Sequence, residues 1–508
     1  MSIPSKLGSS LSNTKMRDQN NLSDLSGMCS VCTSTCTGTC EIGLSAVRGT
    51  EAVYPFSTDQ NQFGSNKQYP LDFSHFNING RVFGANGVPE NSESATFVNA
   101  SIGATFGLTH KVPMKLPIIM PAMAKLDWYD YFAGAAIAGI SVVIGEDVIA
   151  KDNGLIVKDG KVVKSPLISE MVDAFRKYHH GFGDVILQAN ADDDEMGVLE
   201  YGILTLGVKS VEFKFGQAAK GIQGVGRVKS LNDALKFKDR GNIIFPDPLD
   251  PNVIEPFERI GKLPFWDETT IKRRIETLRD LGVERICFKT GPFAPKDLLR
   301  IVKIAAENNV DMITVDGAGG GTGNSPIKMM NEWGIPTIEL IIVMRKIYDH
   351  LSNEFEALPQ LAIGGGIVME DQVFKAMAIG APHVSFVCIG RGAMAAAMSG
   401  KVIGEKINAG HIPKDYEQYG NSVDTVFADY HQVKSLLSGV TDELSVGALG
   451  VYSFMNRISY GFKQLMALNR KFDVSLINRE DVVTLTHEAS KFTGLPTYEE
   501  LLDLALIE

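Results

Sequence analysis

The sequence predicts an α/β protein built as a closed (β/α)8 TIM barrel, with a cysteine-bearing N-terminal segment and a C-terminal helical extension. Three observations predict it. From about residue 115 onward, short apolar runs alternate with longer amphipathic stretches. Eight such runs can be counted, each followed by a segment long enough to cross back over a sheet. The last runs end in glycine-rich turns that open into helical patterns.

In chain order, residues 1–28 are rich in Ser, Asn and Asp and read as a flexible leader. Residues 29–109 carry a cysteine cluster and then a Gly-, Asn- and Phe-containing stretch without clear period, expected to wrap onto the larger body. The barrel is expected over 110–405, with strands at 117–120, 141–144, 184–188, 211–215, 285–289, 312–315, 360–363 and 383–387. Helices are expected at 128–138, 165–178, 271–281, 296–308, 338–351, 372–379 and 391–401. The connection after the fourth strand is long and rich in Gly, Pro and Asp. It is expected as a functional loop on the C-terminal face. Residues 406–508 read as a helical extension packed on the barrel or on a partner, in a homo- or hetero-oligomer. Strand count does not prove closure, so a doubly wound open sheet is the alternative.

The chain has 508 residues, 44% hydrophobic and 21% charged, in the range of a soluble globular protein. A net charge of −11 disfavours a nucleic-acid partner. The sequence has neither an apolar window of about 18 residues nor a secretory leader, so a cytoplasmic protein without a membrane partner is expected.

Of six cysteines, Cys29, Cys32, Cys36 and Cys40 form a Cx2Cx3Cx3C run. Thiolates so close in sequence can converge only on a compact centre, and the intervening Ser, Thr and Gly let the backbone curl around it. Four cysteines in one loop suit a [4Fe–4S] cluster. A structural zinc site, which usually takes two cysteines from each of two separated arms, is the alternative. Cys287 and Cys388 lie in apolar strand runs and read as core.

Three glycine segments follow strands. Asp316-Gly317-Ala318-Gly319-Gly320-Gly321-Thr322-Gly323 follows the sixth, Gly364-Gly365-Gly366 the seventh and Gly390-Arg391-Gly392 the eighth. Glycines let a ligand approach the backbone closely. Loops after strands seven and eight of a barrel commonly bind phosphate, helped by helix-start N–H groups and here by Arg391. A phosphorylated ligand is expected, and FMN is the commonest fit.

The fourth strand reads Glu212-Phe213-Lys214, so Glu212 and Lys214 share a face. If that face is the lumen, they are buried charges in need of partners. Lys289 ends the fifth strand in the same way. Such lysines suit the charge on reduced flavin or a substrate carboxylate; a structural Glu212–Lys214 ion pair is the alternative.

Taken together, Lys214-x-x-Gln217-x-x-Lys220, the strand-end Lys289, the Gly320-Gly321-Thr322-Gly323 loop followed by Pro326, and the two later glycine loops resemble the FMN domain of glutamate synthases. The resemblance spans roughly residues 110–405, with a looser match over 117–124 that includes Pro121 and Ala122. It implies an oxidoreductase acting on CH–NH2 donors that passes electrons from an iron–sulfur cluster to FMN and reduces 2-iminoglutarate, formed from 2-oxoglutarate and ammonia. It implies that Lys214, Gln217 and Lys220 contact substrate or flavin and that Lys289 stabilises the flavin. Pro121 and Ala122 would pack on the flavin, and Gly320, Gly321 and Thr322 would line its site.

The sequence departs from the family in several places. The family's cluster cysteines follow the last phosphate loop, where residues 394–406 here hold none. The N-terminal quartet is expected to replace them. Gly319 stands where the family has an acidic residue, and Gly221-Ile222-Gln223-Gly224 is altered. Residue 2 is Ser2, not the cysteine a glutaminase domain exposes, so another substrate stays open. The chain shows no dinucleotide fingerprint, so a ferredoxin or other electron-donor subunit is the expected partner. A non-redox or isomerase-type phosphate-binding barrel, and an electron-transfer subunit without substrate, are the alternative functions.

Overall fold

The computed structural model describes residues 41–53, 65, 67, 69–123, 128–218, 220–222, 225–264, 266–320, 325–438 and 444–507. Eight parallel strands close into a barrel: β1 (Ile118–Met120), β2 (Ser141–Ile144), β3 (Val185–Ala189), β4 (Ser210–Lys214), β5 (Arg285–Thr290), β6 (Met312–Asp316), β7 (Gln360–Gly364) and β8 (Val384–Cys388), with β8 pairing back onto β1. The open-sheet alternative is thereby excluded. β1 to β5 are buried along their whole length, because helices cover the outside and side chains fill the lumen. Such strands read as short continuous apolar runs, which is how the sequence showed them.

The crossover helices begin where local chemistry allows. Ser165 caps the helix Pro166–Tyr178, whose proline lacks only an N–H that would be orphaned anyway. Asp267 accepts from Thr270 N at 2.7 Å to start Glu268–Asp280.

A hairpin, Ala104–Phe106 with Val112–Met114, closes the N-terminal end of the barrel, its two strands lying on either side of residue 109. Its Gly107 and Leu108 N–H groups donate to Gln360 Oε1 and Asp311 Oδ1. Arg285 fills that end of the lumen. Its guanidinium donates to Ser210 Oγ (2.7 Å), Asp184 Oδ2 (2.8 Å) and His110 O (2.9 Å).

Beyond the barrel, the helix Val446–Leu468 packs on Trp128–Ala138 and Arg391–Asn408. Small residues permit the close approach: a Cβ on Gly404 would come within 2.5 Å of Val446 Cγ1, and one on Gly400 within 2.8 Å of Val446 O. The extension is not all helix. Val482–Thr484 pairs antiparallel with Phe76–Ile78, tying the segment before the barrel to the extension after it.

The long connection after β4 also differs from expectation. It folds into a three-stranded antiparallel sheet, with Phe257–Ile260 between Val225–Val228 and Ile243–Phe245, beside the helix Leu231–Asp239. Among the described residues, no helix is long and apolar enough to cross a membrane. Cys29, Cys32, Cys36, Cys40, Gly321 and Thr322 lie outside the described residues.

Candidate functional site at the C-terminal end of the barrel

The lumen near the C-terminal ends of the strands is polar and charged. Pleating turns Glu212 and Lys214 of β4 inward while Phe213 packs outward against Trp266 and Phe288. β5 pairs with β4 so that Cys287 faces Glu212 and Lys289 faces Lys214. Both lysines are buried.

Lys214 does not take Glu212 as its partner. Its Nζ donates to Glu146 Oε1 and to Gln217 Oε1. Lys220 Nζ reaches the same Glu146 oxygen at 3.8 Å. Glu212 instead accepts from Gln188 Nε2 at 2.5 Å. Lys289 Nζ donates to Asp316 Oδ1 at 2.6 Å, and Asp316 Oδ2 accepts from Ala218 N at 3.4 Å. The structure therefore gathers Lys214, Gln217, Lys220 and Lys289 at one end of the lumen.

Burial opposes charge on every one of these groups, and partners decide the outcome. For Glu146 burial pushes upward, but Lys214 and Lys220 outweigh it and hold the carboxyl at about 2. The Lys214 ammonium is pushed below its ordinary value by burial and by neighbouring Lys220, despite Glu146. Lys289 goes the other way: burial is overcome by Asp316, and its value rises. Burial raises Glu212. Three buried lysines converging here suit an anionic ligand.

The glycine loops stand around this cluster. A Cβ on Gly364 would collide with Asp316 Oδ1, so only glycine at the end of β7 leaves room for the Lys289–Asp316 pair. Gly365 and Gly366 have φ of 112° and 83°, a region that favours glycine. A Cβ on Gly320 would lie 2.6 Å from Ala218 Cβ and 3.3 Å from Gly365 Cα, so the turns after β4, β6 and β7 touch. Gly390 lies against Pro121, with a built Cβ 3.1 Å from its Cγ, and Gly392 against Val368, which follows the β7 loop. Ala122 in turn packs on Gly145 at the end of β2. Arg391 is exposed and starts the helix Arg391–Asn408, whose first N–H groups have no partner within the helix.

Two features fit the expected flavin. The loops of Gly364–Gly366 and Gly390–Gly392 follow neighbouring strands, rich in glycine and next to a helix start that favours phosphate. Gln188, 2% exposed, has an amide oxygen with no hydrogen-bond partner among the described residues, an acceptor left for a ligand N–H.

Residues 263–403, which hold β5 to β8, match the family model described as the conserved region in glutamate synthase. This part of the barrel is similar to the glutamate synthase family. A curated relative, the glutamate synthase large subunit-like protein YerD of Bacillus subtilis (strain 168), is 32% identical over 192 residues. The match covers 37% of this chain and 33% of that protein, so the chain spans about a third of the relative's length. Similar solved structures include the recombinant flavin-binding domain of baker's yeast flavocytochrome b2 (TM-score 0.47, 14% identity, 86% of this chain and 82% of that one). Another is the monotopic membrane protein (S)-mandelate dehydrogenase (TM-score 0.41, 11% identity, 81% and 89%).

Sequence reasoning gave no role to Glu146, Gln188 or Asp316. Gln188 and Asp316 lie at strand C-termini and Glu146 just beyond one, the positions from which barrel enzymes draw their site residues. That placement was the signal that could have found them.

Proposed function

We propose that the protein is an FMN- and iron–sulfur-dependent oxidoreductase of the glutamate synthase type, reducing the imine of a small 2-oxo acid. Formation of glutamate from 2-oxoglutarate and ammonia is the reaction we assign. The observation that carries this reading is the lysine cluster: Lys214, Lys220 and Lys289 converge with Gln217 beside the glycine loops of β7 and β8.

Bound FMN would supply the hydride. Gly364–Gly366, Gly390, Arg391 and Gly392 would hold its phosphate, Pro121, Ala122 and Gly320 would border it, and Lys289 would hold positive charge beside it. Gly321 and Thr322 belong to the same loop by sequence. Lys214 and Lys220 would bind the carboxylates of 2-oxoglutarate, with Gln217 fixing the Lys214 ammonium. Ammonia displaces the carbonyl oxygen as water. Reduction adds a hydride to the imine carbon, and a proton to nitrogen completes the amine. Cys29, Cys32, Cys36 and Cys40 would hold a [4Fe–4S] cluster fed by a ferredoxin or another electron-donor subunit.

The test is an anaerobic absorption spectrum with iron, sulfide and released-flavin assays, followed by reoxidation of the reduced flavin with 2-oxoglutarate and ammonia. Flavin with about four irons per chain and ammonia-dependent reoxidation are expected. Flavin without reoxidation by any 2-oxo acid would leave an electron-transfer or isomerase-type barrel. Folded protein that takes up no flavin would overturn the proposal.

A further inference from the structure

The insertion after β4 touches the lysine cluster from two sides. Lys220, at its start, reaches Glu146. At its far end Arg259, on the strand Phe257–Ile260, donates from Nη1 to Asp147 Oδ1 at 3.3 Å and lies over the Phe237 ring, 5.7 Å from its centre. Lys262 N donates to Asp192 Oδ2 at 3.0 Å, and Lys262 Nζ pairs with Glu195.

Asp147 directly follows Glu146 and has a φ of 60°, a left-handed backbone uncommon outside glycine, which Asp and Asn adopt more readily than other side chains. Three side chains hold it here, and its C=O accepts from Ala150 N at 3.1 Å. Its N–H donates to Asp193 Oδ2 at 3.0 Å, and Asn190 Nδ2 donates to its Oδ1 at 3.4 Å. Arg259 is the third, and the one contributed by the insertion. Asp193 is 2% exposed, whereas the Arg259 side chain is 15% exposed.

We propose that Arg259 is a positioning residue. By holding Asp147 it fixes the Glu146 carboxylate, and with it the spacing of Lys214 and Lys220 around a bound carboxylate. This rests on the reading of that cluster as the substrate site. If Asp147 relaxes to an ordinary φ, the peptide it shares with Glu146 turns and the carboxylate shared by the two lysines moves. The lysines then lose the charge that screens them from each other.

Arg259→Ala, Arg259→Lys and Asp147→Gly variants test this in the full-length protein. The first readout is the acetylation rate of Lys214, Lys220 and Lys289 at fixed pH, followed by peptide mass spectrometry. Arg259→Ala should speed acetylation of Lys220 about tenfold, a coupling of ordinary size for one charged contact. Lys289, paired with Asp316, should be unchanged, and Arg259→Lys should restore the rate to within about twofold of wild type. In the Asp147→Gly background the Arg259 change should add nothing. The second readout is kinetic: KM for 2-oxoglutarate should rise in Arg259→Ala more than kcat falls. Unchanged Lys214 and Lys220 rates would overturn the proposal. So would equal acceleration at Lys289, which marks general loosening. A shift in labelling with no response of the wild-type protein to 2-oxoglutarate would leave the positioning role standing and remove the substrate reading.

Discussion

Lys214 and Lys289 occupy the same register position on neighbouring strands, yet each has its own carboxylate: Glu146 for Lys214 and Asp316 for Lys289. Two like charges so close tolerate burial because each is separately compensated. The two pairs also differ in kind. Asp316 serves one lysine, whereas Glu146 is shared by two, so charge excess collects on the Lys214 side.

Replacing Lys289 therefore has a local effect. Lys289→Met leaves the Asp316 carboxylate without its ammonium in a largely buried site and removes the cation assigned to the flavin. Reoxidation of the reduced enzyme should slow about 100-fold, as for loss of one preorganised charge-stabilising group. Stopped-flow spectroscopy of the flavin checks this, and FMN release on gel filtration should increase in parallel.

The Glu146 pair should be visible as an acid limb of stability. Its carboxyl lies at about 2 when folded against 4.5 for an ordinary glutamate. A depressed carboxyl stabilises the fold above its unfolded value and loses that contribution as the pH falls toward the folded value. The loss should span pH 4.5 to about 2 and reach at most ~3 kcal/mol. Urea unfolding across that window should show Glu146→Gln flatter than wild type. Equal slopes in the two proteins would remove Glu146 from the account.

Gly364 should resist even the smallest side chain. A Cβ there collides with Asp316 Oδ1 and would stand 3.3 Å from Cys388 Cβ. Gly364→Ala must displace Asp316 from Lys289, at a cost of about 1–3 kcal/mol for overpacking. The protein should fold with a lower Tm and hold FMN more weakly, measured by flavin fluorescence on titration. Wild-type flavin affinity in this variant would show that the Lys289–Asp316 pair does not shape the cofactor site.

Most of the barrel was legible in the sequence, and the reasons are physical. Buried parallel strands such as Ser-Val-Val-Ile (141–144) are continuous apolar runs that turns delimit sharply. The insertion was not legible, because its core is only Val228, Ala234, Ile244 and Phe257, while Ile243 and Phe245 are exposed. Too few residues alternate there to overcome the Gly, Pro and Asp between them. Val482–Thr484 was missed because its three residues show no period. In the site, Lys214 and Lys289 stood out as charges within apolar runs. Glu146 did not, since it lies just beyond a strand end and meets Lys214 across 68 positions of sequence. The Glu212–Lys214 pair suggested by strand periodicity gave way to Gln188 and Glu146 because those groups project from neighbouring parts of the barrel.

Charge at the opposite end of the lumen should behave as structure alone. Arg285, 4% exposed, joins Ser210, Asp184 and His110 and closes the end away from the glycine loops. Arg285→Met leaves Asp184 without its guanidinium and should cost about 3 kcal/mol, a Tm drop of about 3 °C for a chain of this length. Below the transition its flavin spectrum and turnover should match wild type. A kinetic defect in folded Arg285→Met would mean that the two ends of the lumen are coupled.

Cys388 supplies a chemical test of how closed the lumen is. It ends β8, is 5% exposed, and its thiol is pushed up to about 12 by burial, with Lys289 pulling it down and Asp316 and Glu212 pushing it up again. Nucleophilic attack requires the thiolate, so at pH 8 only about one thiol in 10⁴ is reactive even before access is considered. Iodoacetamide at pH 8 should therefore leave Cys388 unmodified in the folded protein and modify it in urea, read by peptide mass spectrometry. Lys289→Met removes the cation that favours the thiolate and should not increase the reaction. Rapid alkylation of the native protein would mean that solvent reaches the lumen beside Lys289, and the buried charges described there would then be far weaker than their positions imply.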